Sequence, residues 1–326
     1  MRALVIQEGG RLVIEDRPVP EPSADQVLVR VNGAGINRAD LLQRAGRYPA
    51  PPGVPPDIPG LEFAGVVEAV GSGVTSPCAG DRVMGIVAGG GQAEYLVTAA
   101  AHCARIPPDF DLVEAGGIPE AFITAHDAMV VQGELMSGQQ VLVHAVGSGV
   151  GTAALQLAGC LGASVVGTSR SKDKLDRAVE LGLTHPILAP SGFEPAALAE
   201  EITAAAGPID VTVDLIGGPY LGVDVIAAAP KGRIVIVGLI AGRKAELDMG
   251  ALLAKRLIVR GTVLRSRPSA EKADATHLFE GQVVPLLGRG AIKPVIDAVV
   301  PLAEAERGYE LMEKDRTFGK VVLDLS

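Results

Sequence analysis

Short apolar runs separated by glycine and proline dominate the first third of the chain. Residues 27–31, 62–70 and 92–97 are predicted as strands because they are rich in β-branched and apolar side chains and end at turn-forming residues. A proline-dense stretch, 48–59, cannot form a helix or a central strand, and long loops inside compact domains are often functional. The pattern predicts a β-rich domain with a loop at the border of a substrate cleft.

From about residue 118 to residue 261 the pattern changes to strands that alternate with helices. Strands are predicted at 141–145, 164–169, 211–215, 233–237 and 257–260. Each follows a helical or glycine-punctuated segment, and such alternation is typical of a doubly wound parallel sheet in an α/β fold.

The last part of the chain returns to the β-rich pattern. A helix follows Pro268, a second helix is predicted at 303–313, and residues 320–323 form a last strand that rejoins the first domain. The sequence therefore predicts one domain from residues 1–118 with 266–326, and an inserted domain from residues 119–265.

The strand at 141–145 runs directly into a glycine-rich turn and an Ala/Leu-rich helix. Gly147-x-Gly149 matches the start of the dinucleotide fingerprint, and Thr152 stands where a third glycine or alanine is usual. Backbone N–H groups at such a helix N-terminus can face a pyrophosphate. The pattern predicts a dinucleotide site, and the alternative is a turn needed only for close packing.

The end of the next strand indicates which dinucleotide fits. NAD enzymes usually place Asp or Glu about 20 residues beyond the glycines, whereas a 2′-phosphate requires cations and no carboxylate. Here Ser169 and Arg170 occupy that place, followed by Lys172 and Lys174. This favours a 2′-phosphate, while the same residues could be solvated charges of a helix capped by Ser171. Both interpretations can hold together.

Composition limits the class of protein. With 326 residues, 48% hydrophobic and 21% charged, the chain fits about two globular domains and contains no apolar run long enough for a transmembrane helix. The start of the chain is predicted as a strand rather than a signal peptide. Three scattered cysteines suit a reducing compartment, so we expect a cytoplasmic protein. A net charge of −9 argues against nucleic acid and anionic membranes as partners.

Several local motifs carry a resemblance to a known family. They lie, in order along nearly the whole chain, at 35–44, 60–62, 80–83, 118–125, 214–218 and 264–267. Together they resemble the zinc-free quinone oxidoreductases of the medium-chain dehydrogenase/reductase superfamily, and within them the tumour-suppressor-induced subgroup. The resemblance implies a GroES-like catalytic domain, an inserted Rossmann domain, NADPH as cofactor, a quinone as acceptor, and a homodimer formed near strand 257–263.

The zinc positions of the superfamily are changed in this chain. Zinc alcohol dehydrogenases carry cysteine where Asn37 stands and histidine where Leu61 stands, and four closely spaced cysteines for a structural zinc are missing as well. The five histidines show no ligand spacing. The resemblance therefore implies a metal-free enzyme, and without a Lewis acid the reduction of an electrophilic carbonyl is favoured over alcohol oxidation.

The resemblance assigns three candidate catalytic residues. Asn37 and Tyr48 line the acceptor space, where an amide N–H or a phenol O–H could bond the quinone oxygen. Asp40 could orient Asn37 or relay protons. The alternatives are that Asp40 only balances the macrodipole of a helix, that Asn37 bonds its own turn, and that Tyr48 contacts the nicotinamide.

The resemblance also assigns cofactor-binding residues. Thr124 is expected near the nicotinamide and Ala189 replaces a tyrosine usual on the adenosine side. The pyrophosphate is expected at Ser148, Gly149, Val150 and Gly151; the 2′-phosphate at Ser169, Arg170 and Lys174; and the nicotinamide ribose and carboxamide at Gly238, Leu239, Leu264, Arg265 and Ser266.

Two other functions remain open on the sequence alone. An enone or enoyl-thioester reductase on the same scaffold would use a tyrosine as proton donor. A dinucleotide- or RNA-binding protein with little catalysis would keep the same glycine loop, although the acidic balance weighs against RNA.

Overall fold

The structure, a computed structural model, describes residues 1–326, which form two units. The first unit comprises Met1–Ile123 and Leu264–Ser326, and the second comprises Thr124–Val263. No helix combines the length and the apolar character needed to cross a bilayer.

The strands are β1 (Arg2–Ile6), β2 (Leu12–Asp16), β3 (Gln26–Ile36), β4 (Glu62–Val70), β5 (Arg82–Ile86), β6 (Tyr95–Ala99), β7 (Cys103–Arg105), β8 (Gln140–Val143), β9 (Ser164–Ser169), β10 (His185–Leu188), β11 (Ile209–Asp214), β12 (Ala228–Ile236), β13 (Ile258–Gly261), β14 (Ile296–Pro301) and β15 (Lys320–Asp324).

The α-helices are α1 (Arg38–Arg44), α2 (Leu112–Ala115), α3 (Pro119–His126), α4 (Gly149–Cys160), α5 (Lys172–Glu180), α6 (Pro195–Ala206), α7 (Tyr220–Ala227), α8 (Met249–Lys255), α9 (Ser269–Gln282), α10 (Val284–Gly288) and α11 (Ala305–Glu313). Helix α3 continues as a π-helical segment, Asp127–Gln132, and short 3₁₀ segments occur at Glu8–Gly10, Ala100–His102 and Leu302–Glu304.

The first unit is built on a seven-stranded sheet in the order β14-β15-β3-β4-β5-β7, with β6 also paired to β3. Its core includes Phe63 and Tyr309, both fully buried. Strand β15 runs antiparallel to β3 and pairs Val321 with Ile36. This register places the next residues, Lys320 and Asn37, side by side, although they are far apart in the sequence.

The second unit is a six-stranded parallel sheet in the order β10-β9-β8-β11-β12-β13. This is the 3-2-1-4-5-6 order of the Rossmann fold, in which ligands bind at the carboxyl ends of the strands, where the order reverses between β8 and β11. The predicted doubly wound parallel sheet is confirmed.

One strand of this sheet is absent from the five predicted strands. Strand β10 has only four residues and contains Pro186. It lies at the edge of the sheet, where the missing N–H of a proline is tolerated. The apolar pattern is too short there to indicate a strand.

Candidate active site

Asp40 ties the start of helix α1 to the strand that follows the proline-rich loop. Its Oδ2 accepts from the backbone N–H of Asn37 at 2.8 Å and its Oδ1 from that of Gly60 at 3.0 Å. Burial raises the pKa of Asp40 to about 6, against the opposing effect of those two N–H donors. Both carboxylate oxygens are therefore engaged in holding backbone.

Asn37 lies in a buried cluster with Lys320 and Glu62. The Lys320 ammonium donates to Asn37 Oδ1 at 2.6 Å and to Glu62 Oε1 at 2.6 Å, and it also reaches the carbonyl oxygen of Ile36 at 3.1 Å. The Asn37 amide Nδ2 donates to Glu62 Oε1 at 2.9 Å and to the carbonyl of Gly35 at 3.4 Å. The lysine therefore fixes the orientation of the amide and directs its N–H groups at protein acceptors.

Glu62 is the anionic partner in this cluster and is fully buried. Its second oxygen, Oε2, accepts from the backbone N–H of Glu120 at 2.8 Å, in the first turn of α3. Residue 35 must be glycine here, because a Cβ would overlap the Glu62 carboxylate. A buried carboxylate is tolerated in a protein interior only when a counter-ion and hydrogen bonds compensate its lost hydration.

Tyr48 and Arg265 form a second group at the start of the proline-rich loop. The guanidinium carbon of Arg265 lies 4.8 Å from the centre of the Tyr48 ring, and Nη1 donates to the Tyr48 carbonyl at 3.1 Å. Nε donates to Ala88 O at 2.7 Å and Nη2 to Gln43 Oε1 at 2.5 Å. Arg265 thus anchors the loop, while the Tyr48 side chain stays partly exposed. Of its neighbours in the sequence, Leu264 is buried and Ser266 exposed.

Glu120 is the last member of a charged group in this unit, which also contains Asp40, Glu62, Arg265 and Lys320. Burial, followed by repulsion from Glu62, raises the pKa of Glu120 to about 8, while Lys320 and Arg265 oppose the shift. Its side chain retains some exposure to solvent. Sequence reasoning did not single out Glu62, Glu120 or Lys320. The available signal was a carboxylate, Glu62, at the start of the mostly apolar strand β4.

The phosphate loop of the second unit begins after β8. Ser148 is the N-cap of α4, and its Oγ accepts from Gly151 N at 3.0 Å. The backbone N–H groups of Gly149 and Val150, ahead of it, have no partner within the helix and can receive an anion. A Cβ on Gly151 would lie 2.5 Å from the carbonyl oxygen of Ala145. The absence of a side chain at residue 151 therefore lets helix α4 pack closely against the end of β8.

Thr152 is accommodated where the fingerprint usually has a third small residue. Its Oγ1 donates to Gly149 O at 3.0 Å, so the buried hydroxyl is satisfied within the helix. The loop keeps the shape of a dinucleotide-binding turn, and the residues present fit a pyrophosphate.

Strand β9 ends at Ser169, where its Oγ accepts from Ser171 N at 3.1 Å. Ser171 is the N-cap of α5, as expected, and accepts from Lys174 N at 3.4 Å. Arg170 is exposed and Lys172 pairs with Asp176 at 2.7 Å on the helix surface. Ala189 is fully buried and its N–H bonds Ser169 O, so it belongs to the core.

Gly238 and Leu239 follow β12 at the same edge of the sheet. A Cβ on Gly238 would overlap the Leu215 carbonyl, so the two strand ends approach closely there. Leu239 is half exposed and Thr124, on α3, is buried.

A buried cluster that the sequence did not indicate joins the ends of β8 and β9 to helix α7. His144 contacts Thr168 Oγ1 through Nδ1 and Asp224 Oδ1 through Nε2, both at 2.8 Å. Burial lowers the pKa of His144 to about 4 and raises that of Asp224 well above its usual range. Burial thus disfavours the charged form of both partners of this hydrogen bond.

No group of three or more His, Cys, Asp or Glu side chains is arranged to hold a metal ion in this chain. The resemblance places Asn37 and Leu61 at the catalytic zinc positions of the alcohol dehydrogenases. In this chain the Asn37 amide is bonded as described, and Leu61 is buried.

Comparison with known proteins agrees with this architecture. Residues 23–108 match the family model of the alcohol dehydrogenase GroES-like domain, and residues 149–280 match that of the zinc-binding dehydrogenases. The quinone oxidoreductase of Lama guanicoe is 30% identical over 99% of this chain and 97% of its own length. The synaptic vesicle membrane protein VAT-1 homolog of Rattus norvegicus is 32% identical over 99% of this chain and 84% of its own.

Solved structures give the same result. A crystal structure of an NAD-dependent alcohol dehydrogenase superposes with a TM-score of 0.83 at 32% identity and covers 100% of both chains. A mycobacterial protein complexed with NADPH superposes with a TM-score of 0.87 at 25% identity, covering 99% of this chain and 100% of its own.

The fold and these matches define an oxidoreductase whose GroES-like domain carries an inserted Rossmann domain, which implies a nicotinamide dinucleotide cofactor. The chain belongs to the quinone oxidoreductase family of the medium-chain dehydrogenase/reductase superfamily.

Proposed function

We propose that this chain is a zinc-independent NADPH:quinone oxidoreductase. The observation that carries the proposal is the Lys320–Asn37–Glu62 cluster. By the resemblance, Asn37 replaces a zinc ligand of the zinc-dependent relatives, and its amide is bonded to the Lys320–Glu62 ion pair. An acceptor reduced there cannot rely on a metal to stabilise its oxyanion. Quinones fit this limit, because the charge that arrives with the hydride is spread over an aromatic ring.

When bound, NADPH would supply the hydride, and the residues of the chain hold the reactants. The phosphate loop, Ser148 to Gly151, would bind the pyrophosphate. In the first unit the partly exposed Tyr48 carries an O–H group that can donate to a quinone oxygen, while the Asn37 amide is already bonded to Glu62 and Gly35. We propose that Asn37 and Asp40 fix the wall of the acceptor site and that Tyr48 touches the acceptor.

The functional assignment is tested with a panel of acceptors. We expect purified protein, treated with a chelator, to oxidise NADPH with para- and ortho-quinones as fast as untreated protein does. Turnover of enones or enoyl thioesters in preference to every quinone would assign the reductase alternative. Loss of activity together with stoichiometric zinc would contradict the zinc-independent part of the proposal.

Cofactor preference is expected to depend on Lys174. A charge-assisted contact of about 1.5–3 kcal/mol with the 2′-phosphate means that Lys174→Ala should weaken NADPH about 10- to 100-fold and leave NADH nearly unchanged. The control is Lys172→Ala, because Lys172 already pairs with Asp176 on the surface of the same helix. Dissociation constants follow from the nicotinamide fluorescence, which no tryptophan of this chain disturbs. Equal losses for both cofactors would contradict the assignment.

Tyr48→Phe and Asn37→Ala are expected to reduce quinone turnover without abolishing it. Because the hydroquinone anion is delocalised, loss of the Tyr48 donor should cost less than the roughly 10²–10³-fold seen when an oxyanion hole bears the whole charge. Loss of Asn37 removes only a side chain that fixes the wall of the site. Steady-state kcat and KM with a small para-quinone and a bulky ortho-quinone measure this. Complete inactivation of Tyr48→Phe with intact NADPH binding would indicate an essential proton donor instead.

We also propose a homodimer and a cytoplasmic location. Strand β13 has a partner on one side only, and Ile258 and Val263 on or beside it, with Met249 and Leu253 on α8, are exposed apolar side chains. An uncovered edge strand of this kind can pair with the same strand of a second copy of the chain. Light scattering at micromolar concentration should give twice the mass of the chain, and Ile258→Lys should give the single mass; a monomeric wild type contradicts the dimer. The three free cysteines suit a reducing compartment.

A further inference from the structure

The charged group of the first unit contains three carboxyl groups, those of Asp40, Glu62 and Glu120, and only the Glu120 carboxyl accepts no hydrogen bond from the protein. Both oxygens of Asp40 accept backbone N–H bonds, and both oxygens of Glu62 are bonded, to Lys320, Asn37 and the backbone of Glu120. The Glu120 carboxyl has no hydrogen bond within the protein and keeps some exposure. It is the carboxyl of this group that can bond something from outside the protein.

Six charged or titratable groups, contributed by six parts of the first unit, interact electrostatically with the Glu120 carboxyl. They are Asp40 on α1, Tyr48 in the proline-rich loop, Glu62 on β4, Arg265 after β13, Lys272 on α9 and Lys320 on β15. The three cations lie where they can stabilise the carboxylate once it has lost its proton, and the two other carboxylates favour the protonated form. Glu120 is placed to exchange a proton.

The other groups near the acceptor site are poorly suited to that exchange. Burial raises the pKa of the Tyr48 phenol above its ordinary value, so the phenol is a weak acid here. Lys320 is bonded to three protein acceptors and balances the charge of Glu62. Burial of Glu120 gives a pKa of about 8, close to the pH at which a general acid works best in a cell.

We propose that Glu120 is the proton donor of the reaction, delivering a proton to the oxygen of the reduced acceptor. The inference rests on the proposed quinone reduction. In that step the hydride forms a C–H or O–H bond to the quinone and leaves an anion, the Glu120 O–H bond breaks as the acceptor oxygen takes the proton, and the carboxylate regains a proton from water. The sum is NADPH, a proton and a quinone giving NADP⁺ and a hydroquinone.

The test compares the pH profiles of Glu120→Gln and the wild type. Wild-type kcat/KM should be constant at neutral pH and fall above a pKa of about 8, because the acid form is lost there. Glu120→Gln should lose that limb of the profile and, at neutral pH, turn over about 10- to 100-fold more slowly, at the low end of general acid catalysis because the anion is delocalised. Glu120→Asp should keep the limb at a reduced rate.

The matched control is Glu114→Gln, which changes an exposed carboxyl in the first turn of the neighbouring helix α2. NADPH affinity and thermal unfolding should be unchanged in all three variants, which separates proton donation from a structural effect. A Glu120→Gln enzyme with the wild-type pH profile overturns the inference while leaving the function intact. A wild type that reduces no quinone overturns the function, and the inference with it. Should Glu120→Gln fail to fold, Glu120→Asp decides: an unaltered profile and rate refute proton donation.

Discussion

Replacing Lys320 with methionine is expected to lower the free energy of unfolding by about 3–5 kcal/mol. Methionine fills the space of the lysine stem but leaves Glu62, which is 0% exposed, as an uncompensated buried charge. The Asn37 amide loses the donor that fixes its orientation, at 2.6 Å from Oδ1. The effect is large because, when one partner of a buried ion pair is removed, no attraction compensates the desolvation free energy of the remaining charge.

Chemical denaturation followed by far-UV circular dichroism measures this change, since the chain has no tryptophan to report it. The matched control is Lys314→Met, which breaks an exposed pair with Glu310 and should leave the transition where it is. The double variant Lys320→Met/Glu62→Gln should recover part of the loss, because it removes the buried charge as well. A Lys320→Met protein as stable as the wild type would mean that the cluster does not hold the fold together.

Dinucleotide binding is expected to be lost in Gly151→Val. A Cβ at residue 151 would lie 2.5 Å from Ala145 O and 2.6 Å from Val146 O, so the first turn of α4 must move away from β8. That movement removes the backbone N–H groups of Gly149 and Val150 from the pyrophosphate. Two charge-assisted bonds of about 1.5–3 kcal/mol each correspond to a loss of affinity of at least about 100-fold.

Gly159→Ala in the same helix is the control for this substitution. No atom lies within 4 Å of a Cβ placed there, and alanine is the better helix former, so NADPH affinity should not change and stability should rise by up to about 1 kcal/mol. Fluorescence titration with NADPH measures both variants. Gly151→Val binding NADPH like the wild type would show that the turn does not cradle the pyrophosphate.

The doubly wound sheet could be predicted because each of its main strands is a continuous apolar run followed by a helical period. The division between the units is harder to locate in the sequence. Helix α3 runs without a break from residue 119 to residue 126, whereas the division of the structure falls between Ile123 and Thr124, inside it. Apolar periodicity reports a helix and does not report which of two cores the helix serves.

Features of the candidate site that depend on local sequence motifs could be predicted. Features that depend on contacts between residues distant in the sequence could not. Ser171 could be recognised as a helix cap because capping is local in sequence. The Lys320–Glu62 pair depends on the pairing of β15 with β3, and the His144–Asp224 bond depends on the packing of α7. Contacts between such distant residues leave no periodic signal in one sequence.

We propose above that this chain passes a hydride from NADPH to a quinone without a metal. The most direct measurement is the initial rate of NADPH oxidation by chelator-treated protein with a para-quinone, with the hydroquinone quantified at the same time. We expect saturable turnover, one hydroquinone for each NADPH consumed, and a higher kcat/KM with NADPH than with NADH. A rate no greater than that of the mixture without protein would contradict the proposal.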